Sequence, residues 1–129
     1  MADDQVNRIM ADIEELTSEQ VLALIFGIHG RLVQDTPVDT GWAANNWIPA
    51  QGQPARGTVG TPQELDATAA TQALASIEPG SLTSRPTFIS NNVPYIARLN
   101  AGSSRQAPAG FVDKIVQDEV AKANARRLR

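Results

Sequence analysis

Few side chains in this 129-residue chain could do covalent or acid–base chemistry. His29 is the only histidine and falls inside an apolar run, Val21 to Ile28 and beyond, where a lone imidazole reads as a structural or surface group. A nucleophile–base pair could be assembled from it and one of the serines. However, no Gly-x-Ser-x-Gly elbow occurs to present that nucleophile. Asp35 and Asp39 flank a turn four residues apart, a spacing open to paired-carboxylate chemistry but far more often explained by capping and turn roles. The chain has no cysteine, which removes disulfides, thiolate metal ligands and cysteine nucleophiles together. With one histidine and no His-Glu-x-x-His pattern, a zinc site has no basis. Gly57-Thr58-Val59-Gly60 lacks the lysine and helix context of a phosphate-binding loop and indicates flexibility only. Neither a catalytic centre, a cofactor nor a metal is expected.

The elements that would position these groups follow from the apolar spacing. Val6, Ile9, Met10, Ile13 and Leu16 form a helical stripe. Thr17-Ser18-Glu19-Gln20 then has the form of a capping box, which predicts a break and a second helix from about Ser18 to Gln34. Its apolar residues cover more than one face, so it should pack on two sides, on the sheet and against another subunit, with Gly27 and Gly30 allowing close approach of a backbone. Asp35-Thr36-Pro37 stops it, because proline disfavours helical geometry in the residue before it. Trp42 to Ile48 reads as a short turn leading into a strand that ends at Pro49. From about 50 to 63 the Gly, Pro, Gln and Thr content predicts a long exposed loop, mobile in the monomer. Such a loop is either an arm for a partner subunit or a tolerated insertion. Glu64 to Ile77 reads as a third helix and Thr87 to Ser90 as a strand. Val93 to Leu99 is open between strand and helical turn. Residues 100 to 110 form a loop, and a last helix starts near Gly110 with Val112, Ile115, Val116, Val120 and Ala123 as its stripe. The whole is a single domain, 1–129, of α+β class. It has a small, mainly antiparallel sheet packed by N-terminal, middle and C-terminal helices.

The net charge is −3, unevenly spread. Eight acidic side chains precede Gly41 against Arg8 and Arg31. From Arg85 onward eight basic ones face Asp113, Asp118 and Glu119. Opposite charge at the two ends suits head-to-tail pairing of copies, although a solvated surface explains it as well. Net acidity argues against strong nucleic-acid binding. The longest apolar stretch falls far short of the ~20 residues needed to span a bilayer, so no membrane association is expected. The acidic start, Met1-Ala2-Asp3-Asp4, is unlike a signal peptide.

Two stretches go beyond composition. One is Thr36-Pro37-Val38-Asp39-Thr40-Gly41-Trp42, followed by Asn46-Trp47. The other is Phe88 to Asn100, containing Asn91, Asn92, Pro94, Tyr95 and Arg98, and continuing through Gln106-Ala107-Pro108-Ala109-Gly110. In order and approximate spacing, together they resemble the HK97 gp10-like family of phage neck and tail-completion proteins, which includes the minor tail protein Z type of lambdoid phages. Relatives often carry a bulkier residue around Ala101 to Ser103. The resemblance implies a structural virion protein made in the bacterial host cytoplasm. It implies a ring of self-associated copies, six in number, at the head–tail junction. That ring would touch the head connector or stopper and the tail terminator or tail tube, and would let DNA pass without sequence-specific binding. A terminator ring that stops tail-tube growth is the alternative role. A small cytoplasmic enzyme using His29 and a DNA-binding accessory factor are the alternatives from other classes. The interface and scaffold residues it implies are Pro37, Val38, Asp39, Thr40, Gly41, Asn91, Asn92, Pro94, Tyr95, Arg98, Gln106, Ala107, Pro108 and Gly110.

Overall fold

A computed structural model describes residues 16–37, 41–82, 84–102 and 109–127. The helix expected over Val6 to Leu16 lies, Leu16 apart, outside the described residues. Helix α1 spans Ser18–Asp35. Its start is the expected capping box: the Gln20 amide donates to Thr17 Oγ1 at 3.2 Å, and the Thr17 amide donates to Gln20 Oε1 at 2.9 Å. Its end is set by Thr36, extended at φ −68° and ψ 130°, whose amide still returns to Leu32 O. Pro37 imposes that geometry on Thr36.

After Gly41 a single 3-10 turn, Ala44–Asn46, leads into β1, Ile48–Gln51. The strand does not stop at Pro49, as the sequence suggested, but continues two residues further. The pairing explains why. Strand β2, Thr87–Ser90, runs antiparallel to β1 with Pro49 opposite Ile89. The Gly52 amide donates to Pro86 O at 2.8 Å. That bond places Gly52, Ala50 and Ile48 at hydrogen-bonding positions and Pro49 between them, where no donor is needed.

Helix α2 is shorter than predicted, Ala69–Ala75 instead of Glu64 to Ile77. Residues 61–66 turn tightly instead: the Glu64 amide donates to Thr61 O and Oγ1. Asp66 Oδ1 then accepts from the amides of Thr68 and Ala69, each at 3.0 Å, and satisfies donors at the helix start. Those amides hold the Asp66 carboxyl below its ordinary pKa. Helix α2 packs on β1. A 3-10 turn at Pro79–Ser81 follows. Val93 to Leu99 resolves as a helical turn, α3, Ile96–Asn100. Helix α4 spans Phe111–Arg127 and buries Phe111, Ile115 and Val120. Among the described residues, four α-helices and a two-stranded antiparallel sheet make a small α+β fold.

The main partner of α1 is α4, not the sheet as expected, because the apolar side chains of the two helices and the Arg31 ion pairs meet along one seam. They run antiparallel, since Arg31 meets Asp118 while Gln20 and Arg126 share a hollow. Arg31 bridges Asp35 at 3.6 Å, Asp118 at 3.2 Å and Glu119 at 3.4 Å, and Lys122 reaches Glu119 at 2.9 Å. Hydrogen bonding from Arg31 holds the Asp118 carboxyl below its ordinary pKa. Burial would raise Glu119, but Lys122 and Arg31 outweigh it and leave it lowered. Burial likewise works against the Arg31 charge, yet its bonds to Asp118 and Glu119 raise its pKa. Gly27 faces this cluster: a Cβ there would lie 2.5 Å from Glu119 Oε1, so the close approach at this position is to a side chain.

The core joins these layers. Leu32, Trp47, Phe111 and Ile115 form its centre, with Ile28, Ile89, Ile96 and Leu99 packed around it. Although aromatics are scarce, two of them occupy that centre. Among the described residues no helix is long and apolar enough to cross a membrane.

Candidate functional site: a loop junction built by the two motif stretches

The two motif stretches lie nearly fifty residues apart in sequence and meet on one side of the domain. Asn91 Nδ2 donates to Ala43 O at 2.9 Å, while Asn91 Oδ1 accepts from the Val93 amide at 3.1 Å. The second bond is an Asx turn, the local chemistry that asparagine favours. It directs Val93, 2% exposed, into the core and leaves Pro94 outside. The Tyr95 ring then packs beside Trp42, with centroids 6.2 Å apart and planes tilted by 55°.

Both stretches also hold the loop after β1. Asn46, only 1% exposed, donates through Nδ2 to Trp42 O at 2.8 Å and Val59 O at 3.0 Å. Its Oδ1 accepts from the Val59 amide at 2.8 Å. The Trp42 indole N–H points at Val59 O and Gly60 O, both at 3.2 Å. From the other stretch, Asn92 Nδ2 donates to Ala55 O at 2.9 Å and Gly57 O at 3.0 Å. The loop expected to move freely is therefore exposed but tied by three side chains. The reason is that its backbone, not its side chains, carries the contacts, and composition says nothing about backbone partners. Gly60 sits at φ +64°, and a Cβ there would lie 2.7 Å from the Asp66 backbone nitrogen. Only glycine fits that turn without backbone movement.

Of the residues implied by the resemblance, Pro37 is buried below α1, and Gly41 takes φ +77° with its carbonyl accepting from Asn45 N and Nδ2. Asn91, Asn92 and Tyr95 belong to the junction. Pro94 and Arg98 are exposed beside it. Gly110 lies apart, at the start of α4, where φ +75° lets its amide reach Asn100 O. Val38, Asp39 and Thr40, with Gln106, Ala107 and Pro108, fall outside the described residues.

Of the groups considered for chemistry, His29 and Asp35 have partners within the scaffold. His29 is buried, with Nε2 2.9 Å from Trp47 O. The Trp47 indole N–H donates to Thr36 Oγ1 at 2.7 Å, and Thr36 Oγ1 donates in turn to Leu32 O. This buried polar chain locks the end of α1 to the strand entrance. Asp35 pairs with Arg31, and Asp39 is outside the described residues. The sequence placed Thr36, Asn46 and Asn100 in the motif stretches but pointed to no side-chain partner for any of them. Asn100 Oδ1 accepts from the Val112 amide at 3.0 Å and ties α3 to α4. A lone polar residue has no periodicity, so only its tertiary partners reveal it. Among the described residues no group of three or more His, Asp or Glu could hold a metal ion.

The junction presents amides, carbonyls and an aromatic pair, framed by exposed Pro94, Arg98 and Leu65. Its chemistry is that of shape and hydrogen bonding. No protein-family model, curated protein or solved structure matches this chain.

Proposed function

We propose that this chain is a structural subunit of a tailed-phage head-to-tail junction, a neck or tail-completion protein that works by assembling into a ring. The observation that carries this reading is the convergence of the two family-like motif stretches. Trp42, Asn46, Asn91, Asn92 and Tyr95 meet at one junction and brace an exposed loop in a defined shape. A braced loop loses little further entropy when it docks on a neighbour, so its affinity is not spent on ordering. Leu65, 46% exposed, and Pro94 give the rim apolar contact area, and Arg98 gives it a charge. The ring takes the head connector or stopper on one face and the tail terminator or tube on the other. DNA passes through the opening without sequence-specific contacts.

The test is assembly. Mass photometry and negative-stain imaging of the purified chain should show closed rings at micromolar concentration, and purified virions should contain the protein at ring stoichiometry. A persistent monomer absent from mature particles overturns the reading.

A further inference from the structure

Strand β2 has one edge bonded to β1 and one edge open. The bond from the Gly52 amide to Pro86 O fixes the alternation: Phe88 and Ser90 turn their main-chain groups toward β1, while Thr87 and Ile89 turn theirs away. Among the described residues, the main-chain groups of Thr87 and Ile89 have no partner on that outer side. The outer edge of β1 differs. Pro49 has no N–H to offer there, Gln51 O accepts from Arg85 Nη2 at 3.1 Å, and α2 packs on the strand. Such features block a further strand, and β2 lacks them. Residues 87–90 contain no charge, proline or glycine. Two of their hydroxyls, Thr87 Oγ1 and Ser90 Oγ, are buried with no hydrogen-bond partner, although buried polar groups are normally bonded. We infer that the open edge of β2 pairs antiparallel with β2 of a second copy, making a four-stranded sheet about a two-fold axis at Phe88.

The edge is self-complementary, which singles out this occupant. With the axis at Phe88, Thr87 of each copy stands opposite Ile89 of the other. Each of these residues then donates its N–H and accepts with its C=O, so every outward group of the pair is satisfied. Phe88 meets its own counterpart at a non-hydrogen-bonded position, where side chains approach most closely and aromatic pairs are favoured. With no charge on the strand, the axis brings no like charges together. The side chains add apolar contact. Thr87 and Ile89 line an apolar groove of about 390 Å³, which α1 and the start of α4 complete through Val21, Ile25, Ile28 and Val112. Pairing places Thr87 and Ile89 of the second copy on that same face and continues the apolar layer. A sheet of two short strands is marginal by itself, and four strands are not. The contact is small beside the roughly 1,200 Å² buried in stable complexes, so the pair should form at high concentration and dissociate on dilution. The inference rests on the strand edge and not on the phage reading, so a chain that closes no ring would still pair.

Because the chain has no cysteine, a single introduced thiol reports the pairing. Phe88→Cys puts two thiols opposite each other at a Cα separation of roughly 4.5 Å, which a disulfide can bridge. Ser90→Cys lies on the same face but opposite Pro86 of the second copy, far from its own counterpart, and is the control. Under mild oxidation at high concentration, Phe88→Cys should give several-fold more disulfide-linked dimer than Ser90→Cys on a non-reducing denaturing gel. Equal yields overturn the inference. The unaltered chain supplies a second measurement. In amide hydrogen exchange read by fragmentation mass spectrometry, Thr87 and Ile89 should slow several-fold between low micromolar and millimolar concentration, while Gln51 on the blocked edge does not change. Exchange at Thr87 and Ile89 that ignores concentration, or slows no more than at Gln51, overturns it too and leaves the edge to a strand of another protein.

Discussion

Asn46 shows how much one buried amide can organise. Two of its three hydrogen bonds join the 3-10 turn to Val59 and the third goes to Trp42 O, and at 1% exposure water cannot replace them. Asn46→Ala should cost roughly 2 kcal/mol, because buried donors and acceptors lose their partners. Urea unfolding measures that loss. Faster tryptic cleavage after the exposed Arg56 should show that the loop has come free. Thr36 is the second such residue. Thr36→Val keeps the shape but strands the Trp47 indole N–H, so destabilisation of roughly 1–2 kcal/mol is expected in the same assay. Neither residue belongs to a periodic pattern, and the side-chain partners of neither were legible before the chain was folded.

Helix ends and the α1–α4 seam are set by local and electrostatic rules. The capping box at Thr17 and the stop at Thr36-Pro37 were readable because their partners lie within a few residues. The start of α2 was not, because the Asp66 turn competes with helix for the same amides. At the seam, Asp118 and Glu119 have lowered pKa values in the folded state. A lowered carboxylate stabilises fully above its unfolded pKa, and that contribution disappears as pH falls through the folded value. Stability should therefore decline from roughly pH 5 down to pH 2. Arg31 is positively charged throughout this window, so Arg31→Met should lower the urea midpoint at pH 7. It should also narrow the difference between midpoints at pH 7 and pH 3. An unchanged difference would show that the cluster contributes nothing to the acid response.

For the molecule as a whole, assembly is the property at stake. Arg98 is exposed on α3 beside the junction. Arg98→Glu reverses a rim charge without touching the core, so the melting temperature should stay within about 2 °C while the ring population falls several-fold. Scanning calorimetry and mass photometry on the same sample separate the two effects. A large loss of thermal stability would instead assign Arg98 to the fold of the monomer.

The α+β class, the course of α1 and α4, the position of β2 and the presence of two motif stretches all follow from amino-acid order. They depend on spacing and on partners nearby in the chain, which order specifies directly. Tertiary structure alone decided that Pro49 sits inside a strand, that α1 leans chiefly on α4, and that the glycine-rich loop is held in place. Each of these depends on a backbone group meeting a partner far along the chain, such as Ile89 opposite Pro49 or Asn92 beside Gly57. Such meetings leave no trace in composition or periodicity.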